Sequence, residues 1–96
     1  MRQAFIVTYD VCDPKRLRKV YKIMRGYGRH LQLSVFQCEL VPREKVELEA
    51  ELRPEIKFDE DQVLFVDIGP ADGRGCTSIE ALGRPYVPTE RTAVIA

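Results

Sequence analysis

The sequence predicts one α+β domain in which two helices cover one face of an antiparallel sheet. Apolar residues alternate with a period of two in several stretches, and two stretches between them show helical spacing. Proline residues and an Asp-Pro pair separate these stretches, as is typical of the ends of helices and strands. A chain of 96 residues with a hydrophobic share of 45% has the size and composition of a single domain covering 1–96.

The first two elements have the clearest pattern. Alternation over 4–11 predicts a strand, and Asp10 stands where this apolar strand ends. The Asp-Pro pair at 13–14 is a strong helix start, because Asp accepts unpaired backbone N–H groups and Pro suits the first helical position. Helical spacing then predicts a helix over 14–27, ended by Gly28.

The later part of the chain adds five elements. They are a strand over 31–41, a helix over 43–53, a strand over 62–68, a short helix over 77–82 and a terminal strand over 92–96. The complete order fits a ferredoxin-like βαββαβ sandwich. The apolar TAVIA strand at the end would leave an unprotected edge, so we expect it to pair with a second copy in a symmetric homodimer.

Charge is divided unevenly along a chain whose net charge is zero. Residues 1–43 contain 9 Lys or Arg and 3 Asp or Glu, whereas residues 44–96 contain 6 and 12. Such a chain can present one basic surface to a polyanion, or its two halves can simply pair with each other. Composition leaves both interpretations open.

Cysteine spacing and hydropathy exclude several classes of protein. Cys12, Cys38 and Cys76 form no CxxC pair, which argues against a zinc site or a disulfide framework and favours reduced thiols that behave as small apolar residues. No apolar run is long enough to cross a bilayer, and the N-terminus lacks the layout of a signal peptide. We therefore expect a cytoplasmic protein with no membrane partner.

Asp10 is the first candidate for chemistry, because strand ends and the loops after them often carry site residues. Its carboxylate could instead accept N–H groups of the following turn and have no further role. Mg²⁺ usually takes one or two protein carboxylates and completes its shell with water and substrate phosphates. A two-fold axis beside the first strand would bring two Asp10 side chains onto one Mg²⁺ or Mn²⁺. Metal-assisted phosphodiester hydrolysis would then be the reaction.

Basic residues crowd the first helix and the segment that follows it. They are Lys15, Arg16, Arg18, Lys19, Lys22, Arg25, Arg29 and His30. No acid interrupts the stretch from Lys15 to Gln37, so this face fits contact with a nucleic-acid backbone, which is electrostatic and independent of sequence. Plain solvation of a charged face is the alternative. Tyr9 and Phe36 could stack on bases, although aromatic residues at such spacings are usually core residues.

The stretch YDVCDPKRLRKVYKIMRGYGRHLQLSVFQCEL closely resembles the N-terminal signature of the CRISPR-associated Cas2 family. The signature is a strand ending in Tyr-Asp, followed by Asp-Pro-x-Arg-Leu-Arg-Lys-Val, Tyr-Gly and Gln-x-Ser-Val-Phe. The match covers residues 5–40 in order and spacing, and the remainder agrees in length and pattern. The family often has Arg two residues before the Gln of the second strand, where this chain has His30 beside Arg29.

The resemblance implies a ferredoxin-like homodimer whose C-terminal strand joins the partner's sheet. It also implies a role in CRISPR adaptation, in which the dimer bridges two CRISPR integrase dimers and holds the duplex DNA of a new spacer. Asp10 matches the family's metal acid, and the resemblance implies that Asp10 and the preceding Tyr9 are the catalytic residues. The family positions and the basic face together predict that these residues bind nucleic acid: Arg16, Arg18, Lys19, Lys22, Arg29, Ser34 and Phe36.

Two functions follow from the resemblance, and the sequence does not choose between them. One is a Mg²⁺-dependent endonuclease acting on RNA, including single-stranded RNA, or on duplex DNA. The other is a non-catalytic scaffold that binds duplex DNA and fixes the spacing of the integrase dimers. A small-molecule sensor of the same fold is a third class, and it predicts nucleic-acid binding that is weak and insensitive to salt.

Overall fold

The computed structural model describes residues 1–72 and 79–85. It contains the strands and helices β1 (Gln3–Asp10), α1 (Pro14–Arg25), β2 (Gly28–Gln32), β3 (Val35–Leu40), α2 (Pro42–Leu52) and β4 (Gln62–Pro70). A short 3₁₀ helix, Arg53–Glu55, follows α2. Residues 79–82 are not helical, and the rest of the predicted short helix, like the predicted strand over 92–96, lies outside the described residues.

The four described strands form one antiparallel sheet in the order β2-β3-β1-β4. β1 therefore lies inside the sheet, where it pairs with β3 on one side and with β4 on the other. This strand order and the βαββαβ succession agree with the predicted ferredoxin-like sandwich. The last residue of β1, Asp10, lies opposite Gln62, the first residue of β4.

Helix α1 begins as predicted but ends two residues early. Asp13 is its N-cap, and the Asp13 carboxylate accepts the Arg16 N–H at 3.0 Å. The helix closes at Gly26, and Gly28 instead opens β2. A Cβ atom at Gly28 would lie 2.5 Å from Cys38 Sγ, so a glycine is needed here for close contact between two strands.

The predicted single strand over 31–41 is in fact a hairpin. β2 and β3 are separated by Leu33, which has a positive φ of 32°, and by Ser34. The His30 ring supports the turn, since its Nε2 lies 2.8 Å from the Leu33 carbonyl oxygen. The turn was not predictable from residue type, because no Gly, Asn, Asp or Pro stands at it.

One face of the sheet packs against both helices. The core contains Phe5, Val7 and Tyr9 of β1 together with side chains of α1, β3 and α2, and Val63 and Phe65 of β4 pack against it. The largest fully buried side chains are Phe36, Met24, Leu40, Leu48, Val7, Val20 and Cys38. Cys38 is buried as expected for a small apolar residue, whereas Cys12 is exposed.

The opposite face of the sheet, here called the outer face, carries Asp10 at one end and a group of apolar side chains farther along the strands. On β1 it carries Ile6, Thr8 and Asp10, which alternate with the core residues. Cross-strand neighbours share a face, so Val66 opposite Ile6 and Leu64 opposite Thr8 belong to it as well. Leu64 and Val66 each remain 46% exposed.

Candidate metal and nucleic-acid site

Asp10 ends β1 on the outer face with its side chain exposed. Within residues 1–72 and 79–85 its carboxylate has no hydrogen-bond or ion-pair partner. The alternative that Asp10 accepts amides of the following turn is therefore not what the structure shows, because the Cys12 N–H donates to Asp61 instead. No residue of the described ranges therefore occupies either oxygen of Asp10.

Asp61 is the acid that organises this end of the sheet. Its side chain has no exposed surface, and it accepts the Cys12 N–H at 3.0 Å and the Lys57 N–H at 2.8 Å. Arg16 donates from Nε at 2.8 Å and from Nη2 at 3.2 Å. The sequence analysis did not identify this role of Asp61. The available signal was an acid directly before a predicted strand.

The pKa values of this cluster follow from those contacts. The Arg16 guanidinium, aided by the Lys57 and Cys12 N–H groups, holds the pKa of Asp61 well below its usual value, although burial acts in the opposite direction. The bond to Asp61 likewise raises the pKa of Arg16. Both groups are therefore charged at neutral pH.

Arg16 was predicted to bind nucleic acid, but its guanidinium is engaged inside the fold. Besides Asp61, its Nη2 donates to Glu60 Oε1 at 3.2 Å. The Arg16 side chain is 23% exposed. The structure thus gives Arg16 two carboxylate partners on the segment before β4, whereas its predicted contact with nucleic acid stays a prediction.

Three other predicted basic residues are exposed on α1. Lys19 Nζ lies 3.6 Å from a Glu55 oxygen, which is a weak surface pair. Arg18 and Lys22 have no ion-pair partner among the residues that the structure describes. Arg18 and Lys22 are therefore the clearest cations on this face for an external phosphate.

Tyr9 and Phe36 lie in the core. Phe36 is 0% exposed and Tyr9 is 5% exposed, and their rings stack with centroids 6.2 Å apart. This corrects the expectation that Phe36 offers a surface to nucleic acid, because hydrophobic burial in β3 places it under the helices. Burial, with a contribution from Tyr21, raises the pKa of Tyr9 to about 12. Tyr9 is therefore a neutral phenol, poorly suited to act as a base.

The predicted site residues of the β2–β3 hairpin lie in different parts of the structure. Ser34 is half-buried, and its carbonyl oxygen accepts the Tyr9 N–H at 3.1 Å beside the end of β1. The His30 ring packs on Phe36 with centroids 4.9 Å apart, toward the core. Arg29 lies on the outer face through its pairing with Gln37, and its Nη2 is 3.8 Å from a Glu39 oxygen.

Of His30 and Arg29, only Arg29 shares a sheet face with Asp10. Arg29 pairs with Gln37, which pairs with Ile6, so two strand spacings and four residues separate it from Asp10. With strands about 4.8 Å apart and about 3.4 Å per residue, their Cα atoms lie roughly 17 Å from each other. Arg29 is therefore not a direct neighbour of Asp10 within one chain.

One chain supplies few metal ligands. In the described part of the chain, no group of three or more His, Cys, Asp or Glu side chains is placed to hold a metal ion. An exposed carboxylate with both oxygens unengaged is still a suitable hard ligand for Mg²⁺ or Mn²⁺. Asp10 fits a shared site in which another chain and a phosphate supply the remaining oxygens.

The chain was compared with known proteins. The family model described as CRISPR associated protein Cas2 matches residues 3–73. The chain is 42% identical over 92 residues to CRISPR-associated endoribonuclease Cas2 1 of Rhodospirillum rubrum, covering 96% of this chain and 89% of the relative. It is 38% identical over 95 residues to CRISPR-associated endoribonuclease Cas2 of Geobacter sulfurreducens, covering 99% of both.

A solved structure agrees with these matches. The crystal structure of Streptococcus pyogenes Cas2 superposes with a TM-score of 0.73 at 35% sequence identity, covering 83% of this chain and 99% of that one. Strand order and helix placement thus define a small α+β protein of the ferredoxin-like class. The chain belongs to the CRISPR-associated Cas2 family, as its N-terminal signature indicated. No described helix is long and apolar enough to span a membrane.

Proposed function

We propose that two copies of this chain associate through their outer faces and form a metal-dependent endonuclease. In this dimer the two Asp10 carboxylates hold one Mg²⁺ or Mn²⁺, and the substrate is the phosphodiester backbone of a nucleic acid. The observation that carries the proposal is an exposed Asp10 carboxylate with no partner among the described residues, at the edge of an apolar sheet face.

Half-exposed apolar side chains support association of two copies. Leu64 and Val66 lie opposite Thr8 and Ile6, next to Asp10 along the strands. A soluble protein that exposes several adjacent apolar side chains on one sheet commonly covers them with a partner. With a two-fold axis through this face, the surface contacts its own copy and each Asp10 approaches the other. The predicted joining of the C-terminal strand to the partner's sheet would extend this interface.

Asp10 is the residue that would hold the metal. When bound, the ion supplies neutralisation of phosphate charge and activation of the attacking water. The chain's own contribution is to place two carboxylates and to keep them free of internal partners. Tyr9, the other predicted catalytic residue, precedes Asp10 in β1 and anchors the end of this strand in the core by stacking on Phe36.

Cations on α1 and β2 would hold the nucleic-acid backbone. Arg18, Lys19 and Lys22 are exposed on α1, and Arg29 adds a charge on the outer face. Backbone contacts of this kind position a substrate without reading its sequence. The relatives from R. rubrum and G. sulfurreducens are named endoribonucleases, which supports RNA as the substrate class over duplex DNA.

Family membership supports a cytoplasmic role in CRISPR adaptation. There the dimer would act in spacer acquisition and bridge two CRISPR integrase dimers. The scaffold function without catalysis is the second candidate. It is favoured because the described residues contain no group of three or more metal-ligating side chains placed to hold an ion. Arg18 and Lys22 would serve a scaffold for duplex DNA equally well.

Replacement of Asp10 separates the two functions. Under the endonuclease proposal, Asp10→Ala abolishes Mg²⁺- or Mn²⁺-dependent cleavage of a labelled RNA, because both metal carboxylates disappear, while nucleic-acid affinity changes little. Asp59→Ala is the matched control, since Asp59 is an exposed acid on the loop before β4. Cleavage that survives in Asp10→Ala contradicts the endonuclease. Intact spacer integration by the same variant identifies the scaffold as the main function.

A further inference from the structure

The Arg16 guanidinium is paired with carboxylates of the same chain. Its Nε donates to Asp61 at 2.8 Å, and its Nη2 donates to both Asp61 and Glu60 at 3.2 Å. Lys57 Nζ also lies 3.4 Å from Glu60, so the two carboxylates are balanced by two cations and a phosphate gains little by approaching this cluster. Neighbouring Arg18 has no ion-pair partner among the described residues. Two arginines of one basic helix are thus in opposite electrostatic situations.

Asp61 joins the chain segments that flank Asp10. On one side it accepts the N–H of Cys12, two residues after Asp10. On the other side it immediately precedes Gln62, which is the cross-strand neighbour of Asp10. Its bond to the Lys57 N–H fixes the loop that leads into β4. The end of β1 and the start of β4 are therefore tied together by one buried carboxylate.

We propose that Asp61 is a positioning residue for Asp10, and that Arg16 acts on Asp10 through Asp61 instead of contacting nucleic acid. This role rests on the proposed function of Asp10 as the metal carboxylate. The arrangement holds the backbone around Asp10 without any bond to the Asp10 side chain, which leaves both of its oxygens for the ion. Displacement of a reacting group by about 1 Å is enough to lower a rate about a hundredfold.

The salt dependence of nucleic-acid binding tests whether Arg16 contacts phosphate. A contact with one phosphate of a duplex contributes about 0.9 to the slope of log K against log salt concentration. Arg18→Gln should lower this slope by about that amount. Arg16→Gln should leave the slope unchanged. An equal decrease in both variants would show that Arg16 contacts phosphate, and would overturn the proposal.

Steady-state kinetics test whether Asp61 positions Asp10. Asp61→Asn keeps the shape of the side chain but removes its charge, and Asp59→Asn is the matched control on the same loop. At a temperature where circular dichroism shows complete folding, Asp61→Asn should lower kcat about tenfold or more with KM within about twofold. Arg16→Lys, which keeps a charge for Asp61, should retain more activity than Arg16→Gln. A purely structural Asp61 would lower the melting temperature and leave kcat of the folded protein unchanged, which would overturn the positioning role.

Metal binding provides a readout that does not depend on cleavage. Titration with Mn²⁺ should broaden the NMR signals of the Asp10 to Cys12 amides, with an apparent affinity about tenfold weaker in Asp61→Asn but unchanged in Asp59→Asn. If wild-type protein binds Mn²⁺ here but cleaves nothing, the endonuclease fails while the positioning role stands. Equal Mn²⁺ affinity in wild type and Asp61→Asn, or no Mn²⁺ effect at these amides, would overturn it.

Discussion

Removal of the apolar side chains of the outer face should dissociate the proposed dimer. The double variant Leu64→Ser/Val66→Ser replaces two side chains of β4 that lie opposite Thr8 and Ile6 on the outer face. Each of the two residues is 46% exposed in a single chain. The fold of the monomer should persist, because neither side chain belongs to the buried core. The two copies, in contrast, should no longer associate.

The magnitude of the effect follows from the exposed fraction. Complete burial of a Leu or Val side chain is worth about 1.5–3 kcal/mol. Since 46% of each side chain remains exposed, its burial in a dimer is worth about 0.7–1.4 kcal/mol. Two chains contribute four such side chains, so the double variant should lose about 3–5 kcal/mol, which corresponds to a Kd raised by two to four powers of ten.

Sedimentation velocity over a range of concentrations measures this dissociation constant, and circular dichroism checks the fold. Val46→Ser is the matched control, because Val46 is 64% exposed on α2, in the other layer of the sandwich. The control should dimerise like the wild type. If the double variant retains the wild-type Kd, or if Val46→Ser weakens association as much, the outer face is not the interface and the shared Asp10 site has no basis.

Three further predictions concern the fold that supports the site. Gly28→Ala should destabilise the protein by about 1–3 kcal/mol in urea unfolding, because its Cβ would lie 2.5 Å from Cys38 Sγ. Gly26→Ala is the control, because Gly26 has a helical φ of −80° and a Cβ there would lie 3.4 Å from the Ile23 carbonyl oxygen, an ordinary contact. Leu48→Ala should cost about 2–5 kcal/mol, since Leu48 is completely buried between helix and sheet, and a loss under about 1 kcal/mol would contradict that packing. The pKa of Asp61 is lower in the folded than in the unfolded chain, so its stabilisation is complete above the ordinary pKa of 3.8 and is lost as the pH falls below it. Unfolding midpoints from pH 6 down to about pH 2 should show this acid-induced loss in the wild type and a smaller one in Asp61→Asn; equal pH dependence of the two proteins would contradict the assignment.

The sequence was sufficient for the features that local chemistry determines. Asp13 and Pro14 marked the start of α1, and strict alternation placed Asp10 on the face away from the core residues Val7 and Tyr9. Each of these inferences used residues within a few positions of one another, where backbone geometry and capping rules apply directly.

Features that depend on distant contacts were not predictable from the same patterns. The pairing of Arg16 with Asp61 joins residues 45 positions apart, so the first helix looked uniformly basic and Arg16 looked available. Phe36 shares its alternation with Ser34, and only the hairpin turn at Leu33 determines which face of β3 is buried. Leu33 adopts a positive φ although leucine does not favour this conformation, so no local sequence signal marked the turn.

The stoichiometry of Mn²⁺ binding tests the central claim most directly. Isothermal titration of the wild-type protein should give one ion for every two chains, and binding should disappear both in Asp10→Ala and in the monomeric Leu64→Ser/Val66→Ser variant. One ion per chain, or undiminished binding by the monomeric variant, would contradict a site built from two Asp10 carboxylates.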